Sequence, residues 1–79
     1  AHMNAETIQL PNTITEIKKV VNNDKLKEIS IPSSCTKIET GAFAECQNLE
    51  TIKIHKKENS ISGAPWGAIK GLKVVKWVD

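Results

Sequence analysis

Two cysteines, Cys35 and Cys46, and the one histidine well inside the chain, His55, are the side chains most capable of chemistry. Thiolates and an imidazole can together hold zinc, but a structural zinc site takes four ligands and draws them from closely spaced Cys-x-x-Cys pairs. Cys35 and Cys46 stand 11 residues apart and His55 is only a third ligand, so no metal is expected. The same cysteines could close a disulfide in an oxidising compartment, or remain two buried thiols that pack as small hydrophobes. Hydrolytic chemistry has less to work with. His55 is accompanied by no Gly-x-Ser-x-Gly elbow, His-Glu-x-x-His helix or glycine-rich phosphate loop, and Ser60-Ile61-Ser62-Gly63 reads as a turn. Glu39, Glu45 and Glu50 fall at turn or surface positions, where carboxylates are solvated rather than set as acid and base in a cleft. Neither an enzyme nor a cofactor site is expected.

Charge is the remaining chemical signal. The net charge is +2, but residues 1–51 hold five lysines against seven acids, while residues 52–79 hold Lys53, Lys56, Lys57, Lys70, Lys73 and Lys76 against Glu58 and Asp79. The two parts therefore carry −2 and +4. A basic end can attract a polyanion. Against that, every basic residue is a lysine, so bidentate phosphate contacts are missing, and two tryptophans and one phenylalanine make no exposed series for stacking bases. Weak polyanion binding through the lysine-rich third stays an alternative; nucleic acid is not expected, and a solvated lysine surface is the simpler reading. No apolar run approaches the ~20 residues needed to cross a bilayer, and no signal peptide is recognisable. Ala1-His2-Met3 reads as the remnant of a cleaved expression tag, which leaves His2 without a role and residues 4–79 as one domain.

A repeat must position these residues. Leu26, Leu49 and Leu72 recur at intervals of 23, followed in step by Ile29, Ile52 and Val75 and by Ile31, Ile54 and Trp77. Ile38 with Ile61, Ala42-Phe43 with Pro65-Trp66, and Cys46 with Ile69 keep the same interval of 23. Upstream, Ile8-Gln9-Leu10-Pro11 matches Ile29-Ser30-Ile31-Pro32 at a shift of 21, as Ile14 and Ile17 match Cys35 and Ile38. Three units thus begin near Ile8, Ile29 and Ile52, and a half unit from Leu72 to Trp77 closes the series. Within a unit, Leu-x-x-Ile-x-Ile alternates apolar and polar residues, which on an extended chain puts Ile29 and Ile31 on one face and Glu28 and Ser30 on the other. Pro11 and Pro32, lacking an amide hydrogen, end their strands. Ala42, Phe43 and Cys46, spaced by three to four, predict a short inward-facing helix. Gly63 and Gly67 around Pro65-Trp66 make a long helix there unfavourable. Phe43 and Trp66 share a column and should stack inside, with Trp77 shielding the last layer. The same alignment sends Cys35 with Ile14, and Cys46 with Ile69, to the core, which favours the thiol reading.

These columns resemble the BspA-like leucine-rich repeats, whose unit reads approximately Leu-x-x-Ile-x-Ile-Pro-x-x-Val-Thr-x-Ile-Gly-x-x-Ala-Phe-x-x-Cys-x-x-Leu. Leu26, Ile29, Ile31, Pro32, Thr36, Ile38, Ala42, Phe43, Cys46 and Leu49 match it; Cys35 replaces the valine and Glu39 the glycine. Ala64-Pro65-Trp66-Gly67-Ala68 is similar to a variant used in last repeats. The resemblance implies an α/β fold, a short right-handed leucine-rich-repeat solenoid of parallel strands with short helices or turns on the other side. It also implies a non-catalytic interaction or adhesion module of a surface or secreted protein, with a host or cell-surface protein as partner and no catalytic residues. A structural spacer or cap supporting a neighbouring domain is the other reading.

In register, three columns point away from the core: Thr7, Glu28, Thr51 and Val74; Gln9, Ser30, Lys53 and Lys76; and Pro11, Pro32, His55 and Val78. The candidate binding face is Thr7, Gln9, Glu28, Ser30, Thr51, Lys53, His55, Val74 and Lys76. It lacks the Trp, Tyr and Arg anchors of tight interfaces. Open strand edges at either end predict weak self-association there, and the chain reads as the end of a longer array.

Overall fold

The alternating isoleucines set the main sheet. The computed structural model describes residues 6–20 and 25–78, so the expectations for residues 1–3 and for Asp79 lie outside it. In chain order the strands are β1 (Thr7–Gln9), β2 (Glu16–Ile17), β3 (Glu28–Ile31), β4 (Lys37–Ile38), β5 (Thr51–Ile54) and β6 (Val75–Trp77). β1, β3, β5 and β6 lie side by side in that order, every neighbouring pair parallel. The pairing is the expected one: Ile8 lies opposite Ile29, Ile29 opposite Ile52, and Ile52 opposite Val75. β-branched side chains suit such a half-buried pleat, and Ile29, Ile31, Ile52 and Ile54 are all buried. Beyond the strands the ladder continues through the His55 amide to the Ile31 carbonyl at 3.0 Å and the Val78 amide to the Ile54 carbonyl at 2.7 Å. Pro32 occupies the equivalent place one unit earlier and has no hydrogen to donate.

A second ladder was not foreseen from the pattern. β2 and β4 pair in parallel, Glu16 opposite Lys37 and Ile17 opposite Ile38, at the shift of 21 that the sequence shows for the first unit. Matching turns lead into it: the Ile14 amide reaches the Pro11 carbonyl and the Cys35 amide the Pro32 carbonyl, both at 3.1 Å. Side chains tie the layers as well, Ser34 Oγ donating to the Ile14 carbonyl at 2.7 Å and Thr36 Oγ1 to the Thr15 carbonyl at 3.2 Å.

The expected helix over Ala42–Cys46 is instead a run of turns. Ala42 bonds to Glu39, Ala44 to Gly41, Cys46 to Phe43 and Leu49 to Cys46, each amide reaching back three residues. Thr40-Gly41 and the Asn48 region supply no length of good helix formers, and such i to i+3 bonds are stable only as short pieces. Among the described residues the one helical element is a 3-10 turn at Gly71–Val74.

The third unit's turns repeat with a different interval. The Ala44–Gly41, Cys46–Phe43 and Leu49–Cys46 bonds return as Trp66–Gly63, Ala68–Pro65 and Gly71–Ala68, each displaced by 22 residues and not 23. The backbone place of Cys46 therefore falls to Ala68, which is buried, and Ile69 turns out to solvent at 58% exposure. This corrects the pairing of Cys46 with Ile69 in the core. Gly71 likewise takes the place of Leu49, leaving Leu72 at 66% exposure, out of the column of Leu26 and Leu49. The 3-10 turn then supplies the missing residue and brings Val75 opposite Ile52.

Phe43 and Trp66 are fully buried and meet edge to face, ring centres 6.3 Å apart, and Trp77 packs on Trp66 at 6.1 Å. The aromatic column is thus as expected. Trp66 reaches it through a left-handed backbone, φ 54°, with Gly67 beside it at φ +81°. A Cβ on Gly67 would lie 2.9 Å from the Gly41 Cα, whereas one on Gly41 would meet nothing within 4 Å. Gly67→Ala should accordingly cost about 2 kcal/mol or more, and Gly41→Ala only the roughly 1 kcal/mol of a left-handed L residue. Denaturant titration that ranks them the other way contradicts this packing. In the same assay Phe43→Ala should lose roughly 3–5 kcal/mol and Lys53→Ala less than about 0.5 kcal/mol.

Candidate binding face

The four-stranded sheet presents its polar residues in rows because neighbouring strands are in register. Thr7, Glu28 and Thr51 form one row; Gln9, Ser30, Lys53 and Lys76 form the next. Thr7, Gln9, His55 and Lys76 are exposed, and Glu28, Ser30, Thr51 and Lys53 are half-buried. Val74 departs from its expected place. It lies in the 3-10 turn and is 1% exposed, packed into the core, so it is not part of the outer face. Pro32, also expected to point outward, is buried, while Pro11 and Val78 are exposed.

His55 is anchored by its neighbour one layer back: Ser30 Oγ and His55 Nε2 are 3.0 Å apart. The pair borders a hollow of about 200 Å³ that Gln9, Asn12 and Ser33 also line. A larger open groove of about 490 Å³ runs between β4 and Ile61–Gly63, where the third unit does not extend the second ladder. Nothing in the sequence reading marked that groove, because it follows from the two-residue strands that the alternation does not reveal.

The other candidate residues are occupied structurally. Cys35 and Cys46 are free, buried thiols, donating to the carbonyls of Lys37 at 3.5 Å and Val20 at 3.6 Å. Burial, and secondarily the adjacent Glu45 carboxylate, push the Cys46 thiol above its ordinary value of 9.0. Glu45 pairs with Lys19 at 2.8 Å and Glu50 with Lys70 at 3.7 Å. Lys56 donates to the Cys35 carbonyl at 2.9 Å. The Ser62 carbonyl accepts the Trp66 indole hydrogen at 2.8 Å, in keeping with a turn at Ser60–Gly63. Among the described residues no group of three or more His, Cys, Asp or Glu side chains is gathered for a metal, and no helix is long and apolar enough to cross a membrane.

Stacked parallel units with an apolar inside and a row-ordered polar outside define a repeat protein that offers a surface. The family model described as BspA type leucine rich repeat region (6 copies) matches residues 1–73, and the chain belongs to that family. Searches of the curated proteins and of the solved structures gave no match.

The Cys46 environment has a measurable consequence. The folded thiol keeps its proton to higher pH than the unfolded one, so its contribution to stability is full below about pH 9 and is lost as pH rises through the folded value. Cys46→Ala should show a shallower fall in unfolding free energy above about pH 9 than the parent chain; parallel curves would remove Cys46 as the cause.

Proposed function

We propose that the chain is a non-catalytic protein-interaction module of a surface or secreted protein, docking its partner on Thr7, Gln9, Glu28, Ser30, Thr51, Lys53, His55 and Lys76. The observation that carries this reading is the register itself, which aligns polar side chains across four strands on one accessible sheet face. Family membership supports it, since BspA-type repeats are typically adhesion or recognition units of exported proteins. The reading takes residues 4–79 as a single right-handed solenoid; connections between parallel neighbouring strands are right-handed in nearly all proteins. Small hydroxyls, one acid and two lysines give such a face moderate affinity, to which further repeats would add.

One observation favours a second reading, a spacer or cap against a neighbouring domain. Ile69, Leu72 and Val78 are the exposed large hydrophobic residues among those described, and all fall within residues 69–78.

Photo-crosslinking separates the two. With a benzophenone at Ser30 or Thr51, adducts to cell-surface proteins are expected, and with one at Gln47, in the turns, none. Adducts from Gln47 or Leu72 alone would overturn the sheet-face reading.

A further inference from the structure

The row that ends in lysine has a composition the fold does not require. Gln9, Ser30, Lys53 and Lys76 occupy directly opposed positions on β1, β3, β5 and β6. Adjacent strands sit about 4.8 Å apart, so the two ammonium stems start that close together. Like charges opposed on one sheet face are destabilising. Lys19, Lys27, Lys37 and Lys70 each have a carboxylate within 4 Å, but Lys53 and Lys76 form no ion pair among the described residues. Glu28 is the one acid on this face, and it stands in the neighbouring row, opposite Thr51.

The other end of the row is neutral. Gln9 and Ser30 border the hollow of about 200 Å³ into which Asn12, Ser33 and His55 also face. Amide, hydroxyl and imidazole groups there can donate and accept, and the Ser30–His55 bond of 3.0 Å fixes two of them. The face is therefore divided into an uncompensated pair of positive charges and, beside it, a small hydrogen-bonding recess.

We infer that this row docks an extended acidic segment of a partner protein, its carboxylate between Lys53 and Lys76 and a neighbouring neutral polar side chain in the recess at Ser30 and His55. The inference rests on the protein-interaction reading and names the chemistry of the partner. A carboxylate offers two oxygens and so can accept from both ammonium groups at once, and such charge-assisted bonds are the stronger kind. A sulfated glycan or a nucleic acid calls for positive charge along its whole track, and half of this row carries none. Two further lysines of the basic end are already engaged, Lys56 with the Cys35 carbonyl and Lys70 with Glu50.

The test is an NMR titration of the isotope-labelled chain at physiological salt with a short alternating Glu-Ser peptide, its Gln-Ser counterpart, and a sulfated heparin oligosaccharide. The Glu-Ser peptide should shift the amide signals of Ser30, Lys53, His55 and Lys76 and bind at least about tenfold more tightly than the Gln-Ser peptide. The double variant Lys53→Gln, Lys76→Gln should abolish that margin with no loss of melting temperature. Equal binding of both peptides on this face overturns the acidic segment and leaves the protein-interaction reading standing. Shifts confined to the groove beside β4 overturn both. Binding of the oligosaccharide without the Glu-Ser peptide, or no shift with any probe, overturns the inference.

Discussion

The structure depends on parallel backbone pairing between one layer and the next. Amides of one layer find their carbonyls in an adjacent layer: Leu10 donates to Ser30, Glu50 and Thr51 to Lys27, His55 to Ile31 and Val78 to Ile54. Side chains alternate across a strand with period two, so a slip of one residue would move the slipped strand's isoleucines to water and its polar residues inward. The pairing thus does two jobs at once. It stacks Ile29 on Ile52 on Val75 as a core, and it orders Gln9, Ser30, Lys53 and Lys76 as a row on the outside.

Away from the sheet the constraint relaxes, and the chain uses that freedom. The turns of the third unit follow an interval of 22, and the 3-10 turn restores the sheet's 23 before β6 begins. A bulky residue at positive φ costs of order 1–3 kcal/mol. Trp66 bears that cost because its indole fills the core, donates to the Ser62 carbonyl and meets Phe43 and Trp77 edge to face. The consequence is local: Val74 is buried, and Ile69 and Leu72 are left at the surface.

Legibility in the sequence followed the same division. The sheet and its rows could be read because β pairing forces the same interval on every column between two neighbouring strands, and the shift of 21 in the first unit reappears in both ladders. The second ladder could not, since Glu16-Ile17 and Lys37-Ile38 are too short to show an alternation. Ala68 and Ile69 are both apolar, so the sequence offers no means of telling which faces in; the turn bonds decide it. Val74 was misplaced on the binding face for the same reason. Of the residues named for that face, Val74 is the one that is buried.

Function inherits the sheet's reliability and not the turns'. The thiols and most of the carboxylates that might have done chemistry are consumed by packing, backbone bonds and ion pairs, and what is left outside is a polar, ordered, partly basic surface. Scalar couplings measured across the hydrogen bonds test that register most directly. Couplings from the Leu10 amide to the Ser30 carbonyl and from the His55 amide to the Ile31 carbonyl are the predicted result. Couplings displaced by one residue would break the row of Gln9, Ser30 and Lys53, setting a polar residue of one strand beside an isoleucine of the next, and contradict the account.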